Sequence, residues 1–266
     1  MSDLFPPIVG FITDFGLKDS YVSEIHSTIM VLCPAVRIID ISHFLDPGDI
    51  DSAAYLLWRS KASMPRGTIF LAVVDPGVGS DRQAVVIENE GSYLVGPDNG
   101  VFSRIIQWER PVAVRVCGWE DVRSLRRSST FHGRDLFAPL AARLANGAPL
   151  GSLGAPGALK ATFPPPRPVR QGDEVIGRVV YIDRFGNLAT DLPNGSLDEQ
   201  CSMVALAGQT RIQHARNYIE APPDRAVWIY GSDGCIEIAW KNRHAGVCLE
   251  AKSGEKVRAS GLTASL

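Results

Sequence analysis

Through the first 155 residues, short apolar runs alternate with amphipathic ones. The runs at 8–13 (IVGFIT), 36–41 (VRIIDI), 68–74 (TIFLAVV), 84–88 (AVVIE), 93–96 (YLVG) and 112–116 (VAVRV) read as strands. In 19–32, 49–62, 99–107 and 134–146 apolar residues recur at spacings of three and four, which predicts helices. The alternation implies an α/β domain with a central, largely parallel sheet and flanking helices. Downstream the pattern turns to β-rich pieces at 174–182, 201–207, 209–213, 226–230 and 235–240, with turn residues every ten or so positions. That pattern predicts a small all-β, barrel-like domain. The change falls at a proline seam of five prolines in the thirteen residues 156–168. Proline fixes φ and removes a backbone donor, so this stretch reads as an extended connector without a ladder of its own. The alternative is a long surface loop within one domain. The expected division is therefore 1–155, a linker at 156–168, and 169–266.

Composition narrows the class. The 27 Lys+Arg and 29 Asp+Glu give a net charge of −2, which argues against a nucleic-acid binder or a polybasic membrane-surface protein. The apolar stretches fall well short of the ~20 residues a membrane helix needs, and the opening MSDLFPPIVG lacks the pattern of a secretory signal. The five cysteines (Cys33, Cys117, Cys201, Cys235, Cys248) form no CxxC pair and read as reduced thiols, pointing to a cytoplasmic protein.

In an open α/β sheet, ligands bind beyond the carboxyl ends of the strands, so the polar residues following each apolar run matter most. They are Thr13-Asp14-Phe15-Gly16 with Asp19, Ser20 and Tyr21; the stretch from Asp75 to Arg82; Asp98-Asn99-Gly100; and Thr130 to Asp135. All four are expected at one sheet edge. Asp19 and the Asp98-Asn99 pair also suit helix caps and turns. Asp75, Arg82 and His132 together form a set able to activate water, in which arginine pairs with the carboxylate and imidazole orients it or a water; a structural ion pair would look the same. DFG at 14–16 and HGRD at 132–135 lack a glycine-rich loop and stand in reverse order for a kinase, and neither the dinucleotide nor the P-loop fingerprint is met. A cation site from Asp14, Asp75 and Asp98 is disfavoured by the nearby charge of Arg82.

These blocks resemble the S-adenosyl-L-methionine hydroxide adenosyltransferase family, which is related to the fluorinases and chlorinases. The resemblance rests on ITDFGLKDSYV (12–22), PGDI and AAYLL (47–57), LAVVDPGVGS with Arg82, GPDNG (96–100), TFHGRDLFAP (130–139), IDRFGNLATD (182–191) and YGSDG with EIA (230–239). It implies an N-terminal α/β domain, a β-barrel-like C-terminal domain, and a homotrimer whose sites lie between neighbouring subunits. It also implies a metal- and cofactor-free hydrolysis of S-adenosylmethionine at C5′ to adenosine and L-methionine.

Carried over by position, the resemblance makes Asp75, Arg82 and His132 the water-activating set. Asp14 would receive the ribose hydroxyls, with Asp19 and Tyr21 beside it. Asn187 would bond adenine, Phe185 would offer it an apolar face, Asp183 would meet the methionine ammonium and Ser232 its carboxylate. Halogenases carry tyrosine at the position of Asp75, and small hydroxyl residues where this chain has Val78 and Gly133. A carboxylate repels halide and suits water, so hydrolysis is preferred over halogenation. A sensor that binds the nucleoside with little turnover is the other alternative. His244 stands where the family usually has asparagine, and Arg134-Asp135, at a helix start, suits a cap and a surface ion pair at least as well as catalysis.

Overall fold

The computed structural model describes residues 6–125, 128–161, 167–200, 203–205 and 210–260. The chain divides into two compact units, Met1–Pro165 and Pro166–Leu266.

The first unit runs β1 (Ile8–Thr13), α1 (Tyr21–Leu32), β2 (Arg37–Ser42), α2 (Ile50–Lys61), β3 (Ile69–Val73), β4 (Ala84–Asn89), β5 (Ser92–Pro97), α3 (Ser103–Trp108) and β6 (Ala113–Cys117). A π-type turn at Gly133–Phe137 then leads into α4 (Ala138–Ala145), and β7 (Ala155–Pro156) closes the unit. The sheet order is β2-β1-β3-β5-β4-β6-β7. Neighbours from β2 to β5 are parallel, whereas β4 pairs antiparallel with β5 and β6, and β6 with β7. The sheet is thus mixed, correcting the expectation of a largely parallel one. Only Glu90 and Gly91 separate β4 from β5, and a parallel neighbour needs a crossover of a dozen residues or more.

Side chains alternate across the pleat and feed two cores. Val9, Phe11, Ile69, Leu71 and Val73 pack against α1 and α4 on one face. Ile12, Phe70 and Ala72 pack against Leu57 of α2 and Ile105 of α3 on the other. The seam also departs from expectation at its start. Pro156 pairs with Arg115, and Asp98 accepts from the Lys160 and Ala161 N–H groups, so the chain as far as Ala161 is bonded to the first unit. Residues 162–166 of the expected linker lie outside the described residues.

The second unit contains β8 (Val169–Gln171), β9 (Glu174–Ile182), β10 (Leu188–Pro193), β11 (Met203–Ala205), β12 (Thr210–His214), β13 (Ala226–Tyr230), β14 (Cys235–Trp240), the single turn α5 (Ala245–Cys248) and β15 (Lys256–Ser260). The sheet order is β10-β14-β13-β12-β11-β15-β9-β8, and β10 pairs again with β9, so the sheet curls round on itself. Trp228, Leu188, Ile236 and Val257 fill its interior. Parts of the predicted strands 201–207 and 209–213 fall outside the described residues. No described helix is long and apolar enough to cross a membrane.

Candidate active site

Register decides which side chains meet in the first unit. Thr13 lies opposite Val73, so Asp14 and Asp75 leave their strands side by side. Ala84 at the start of β4 faces Pro97 at the end of β5, which brings Arg82 to the same edge. The antiparallel direction of β4 therefore supplies the cation: in a parallel strand Arg82 would lie at the opposite end. Asn99 donates to the Val74 carbonyl at 2.8 Å and fixes the strand end that carries Asp75.

Arg82 grips Asp75 through Nε, 3.0 Å from Oδ1 and 3.1 Å from Oδ2, while its Nη2 donates to Oδ2 as well. Side-chain exposures of 11% and 6% place this pair out of bulk water, where a charge-assisted fork is strongest. Arg82 Nη2 also lies 2.7 Å from His132 Nδ1, and His132 Nε2 is 3.0 Å from the Ser129 carbonyl. A guanidinium only donates and a carbonyl only accepts, so these partners assign the neutral tautomer with its proton on Nε2. Both ring nitrogens are engaged. His132 therefore positions the guanidinium, and Asp75 is the group left to accept a proton. Trp119 packs edge-on against His132 at 4.9 Å, and Phe137 lies 5.1 Å from the Arg82 guanidinium carbon.

Asp75 and His132 face a cavity of about 650 Å³ that is also lined by Asp14, Phe15, Tyr21, Gly48, Val78, Phe131 and Gly133. Asp14 accepts from the Gly48 N–H at 2.8 Å through Oδ2; Oδ1 has no partner among the described residues. Gly48 takes a φ of +77°, a conformation that disfavours other residues, to aim that N–H. Tyr21, Phe15 and Phe131 stack tilted or edge-on at 5.3–5.9 Å between centroids and form an aromatic wall. Asp19 is exposed, does not line the cavity, and makes no polar contact among the described residues. The disfavoured trio Asp14, Asp75 and Asp98 does not converge, because Asp98 is occupied with the Lys160 and Ala161 amides.

Arg134 and Asp135 do not line the cavity and serve as its support. Asp135, 1% exposed, receives Arg134 Nε and Nη2 at 2.6 and 2.8 Å and the Ser128 N–H at 2.6 Å. Arg134 reaches on to Glu24 at 2.7 Å. The Asp135 hydrogen bond, reinforced by Glu24, raises the arginine's pKa above its ordinary range, and the Ser20 hydroxyl followed by Arg134 lowers that of Glu24. This network pins the loop that carries Ser129 and His132.

The second unit holds the other expected residues in two separate turns. In the turn between β9 and β10, Asp183 accepts from the Phe185 N–H (2.8 Å), the Asn187 N–H (2.9 Å) and Asn187 Nδ2 (3.0 Å). Its carboxylate organises the turn, the Asn187 main-chain carbonyl accepts from the Asp183 N–H at 2.9 Å, the side-chain Oδ1 of Asn187 is left without a partner among the described residues, and Phe185 is 78% exposed. Gly186, at φ +88°, lies against His244, where a Cβ would sit 2.3 Å from the imidazole. His244 accepts from the Val247 N–H and caps α5, a role asparagine also fills, which accounts for the substitution. Ser232 belongs to the turn between β13 and β14. Cys235 faces Pro193 at the far end of β10, while Ile238 faces Leu188 beside the Asp183 turn. Asp183 and Ser232 thus sit at opposite ends of one strand.

Sequence reasoning missed the supports: the Ser129 carbonyl, Trp119, Phe137 and the amide of Gly48. Backbone donors and acceptors carry no side-chain signature, and the aromatics are separated in sequence from the groups they orient.

Buried charged groups at aligned strand ends, opening on an aromatic-walled cavity, define an α/β protein built to bind a small, partly aromatic, polar molecule and to present a carboxylate to it. The family models for the SAM hydroxide adenosyltransferase N-terminal and C-terminal domains match residues 9–154 and 177–258, and the chain belongs to that family. It is 35% identical to the (R)-S-adenosyl-L-methionine hydrolase of Salinispora arenicola over 95% of this chain and 97% of that one. It is 36% identical to the protein of the same name in Thermus thermophilus, over 94% and 98%. A crystal structure of an uncharacterized conserved protein from Thermotoga maritima superposes with a TM-score of 0.87 at 31% identity, covering 95% and 99%. The fluorinase of Actinopolyspora mzabensis is more distant, 26% identical over 74% of this chain.

Proposed function

We propose that the protein hydrolyses S-adenosyl-L-methionine to adenosine and L-methionine by attack of water at C5′. The observation that carries this reading is the gripped carboxylate of Asp75 at the cavity wall. A sulfonium is already a good leaving group, so the protein's part is to position water in line, exclude bulk solvent and accept one proton. Asp75 takes the proton as the water oxygen bonds C5′. The C5′–S electron pair leaves with sulfur, neutralising the sulfonium. Arg82 and His132 hold the carboxylate in place throughout. Asp14, bound through one oxygen by Gly48, offers the other to the ribose hydroxyls, and Tyr21 with Phe15 and Phe131 packs against the substrate.

Halogenation is disfavoured by space as well as charge. A Cβ on Gly133 would sit 2.9 Å from Ile25 and 3.1 Å from Val73 and Phe131, so no hydroxyl side chain fits there to cradle a halide. The relatives' shared name specifies the R configuration, and since L already describes the methionine carbon, R describes sulfur. We carry this over as the preferred substrate: a hydrolase confined to one sulfonium configuration leaves the other intact. The proposal includes a metal-free chemical step and a homotrimer in which the Phe185–Asn187 turn of a neighbouring subunit completes the cavity.

The test incubates each sulfonium epimer separately with protein in ¹⁸O-water, with and without chelator. Equal adenosine and methionine, label in the 5′-oxygen and faster consumption of the R epimer are expected. Unlabelled adenosine, or no adenosine from either epimer, overturns the reading.

A further inference from the structure

Outside the lining of the cavity in the first unit, three ligand-type side chains from different elements converge. His26 on α1 places Nε2 2.8 Å from Oδ1 of Asp40 on β2, and His43, just beyond β2, places its Nε2 3.0 Å from the same oxygen. All three atoms lie within 4.8 Å of one another. The two short distances are not equivalent. His26 makes a hydrogen bond, whereas His43 Nε2, for all its closeness to Asp40, has no hydrogen-bond partner among the described residues in a side chain that is 4% exposed. A buried polar atom aimed into such a cluster without a partner is uncommon and calls for an occupant.

The rings are held for that occupant. His43 Nδ1 is 2.9 Å from Thr13 Oγ1, and Phe11 packs edge-on against His43 and tilted against His26. When Nδ1–H donates to Thr13, Nε2 presents its lone pair to the cluster, the arrangement by which an outer hydrogen bond fixes a metal-ligating histidine. We infer that His26, Asp40 and His43 bind a divalent transition-metal ion, with Zn²⁺ as the best match. Two imidazoles and one carboxylate suit zinc and its neighbours better than calcium or magnesium, which prefer oxygen. Bonds of about 2.0–2.2 Å to zinc require tetrahedral ligand atoms ~3.3 Å apart, so Asp40 must retreat by a few tenths of an ångström. Asp40 and His26 are partly exposed and free to adjust, and water completes the coordination from the open side.

The ion's effect follows from what His43 holds. The Gly16 N–H donates to the His43 carbonyl at 2.6 Å, and the Phe15 N–H donates to Thr13 Oγ1, which bonds His43. Asp14 lies between these anchors. The metal therefore acts as a structural staple joining α1 and β2 to the segment that presents Asp14, and it takes no part in the proton transfer.

The experiment uses the full-length chain without an affinity tag, stripped with chelator and titrated with Zn²⁺ by calorimetry, then with Co²⁺ by visible absorption. Wild-type protein is expected to bind one Zn²⁺ per chain and to show tetrahedral Co²⁺ bands. His26→Ala and Asp40→Asn, at partly exposed positions where the fold should survive, should each weaken Zn²⁺ binding at least tenfold; circular dichroism checks the fold. The inference is overturned if wild type takes up no more Zn²⁺ than the double variant, or if either single variant binds as wild type does. Because metal uptake is the readout, failure here is separate from failure of the hydrolase reading.

Discussion

Asp75 and His132 differ in what they can do, although sequence placed them together. The imidazole uses both nitrogens to hold Arg82 against Ser129, so only the carboxylate can receive a proton without breaking the network. Asp75→Asn should lower kcat by ~10²–10⁴, the range for a lost general base, with adenosine affinity little changed. His132→Gln should cost less, since Arg82 keeps Asp75 through Nε. Equal losses in the two variants, measured as kcat with a parallel adenosine titration, would put proton acceptance on the histidine. At Gly133, alanine would press on Ile25, Val73 and Phe131; overpacking of this kind costs ~1–3 kcal/mol, and thermal melting should show it. These positions were legible only in part. Their place after apolar runs brought Asp75, Arg82 and His132 forward as a set, although a structural ion pair would have looked the same, and only the family resemblance gave Asp14 its ribose role. The division of labour was not legible, because it depends on a backbone carbonyl. Likewise, the partnership of His26 with His43 left no motif, as the two histidines sit on different elements.

Two elements do most to place the site, the antiparallel β4 and the loop between Ser128 and Asp135. Sequence periodicity located nearly every strand of the first unit to within a residue or two, since buried runs are long and apolar. It missed direction, which is set by the two-residue link between β4 and β5 and not by side-chain pattern. It also missed β10 and β15, whose Thr190-Asp191 and Arg258 interrupt the apolar run. The loop is tied down by the Arg134–Asp135 pair. Asp135→Asn removes one partner of a pair whose carboxylate is almost wholly buried, and such losses run to ~3–5 kcal/mol. Turnover should fall with stability, since the loop carries Ser129 and His132. Glu24 adds a smaller, pH-dependent share. Its pKa is depressed in the fold below the ordinary 4.5, so its contribution is present above that pH and is lost as pH falls through the lowered value. Glu24 is partly exposed, so solvent screening limits the effect to about 0.2–1 kcal/mol. The melting temperatures of wild type and Glu24→Gln should differ near pH 7 and converge in acid.

At the scale of the molecule, Asp75, the proposed proton acceptor, lies in the first unit, whereas Asn187 and Phe185 lie in the second. The exposed phenyl ring and the Asn187 Oδ1, without a partner among the described residues, are what a turn offered to another chain's ligand would present. The proposed trimer therefore makes a prediction that no single-chain site shares. Suppose Asp75→Asn and Asn187→Ala chains, each inactive as a pure protein, are co-expressed in equal amounts. If a site takes its first unit from one chain and its turn from the next around a closed ring, a working site needs an intact Asp75 on one side and an intact Asn187 on the other. Random assembly supplies that combination at about a quarter of the sites, so the co-expressed population as a whole should recover roughly a quarter of wild-type turnover. If each chain builds its own site, every site carries one lesion and mixing recovers nothing. Mixing after separate purification controls for exchange, because activity should then appear only as fast as subunits exchange.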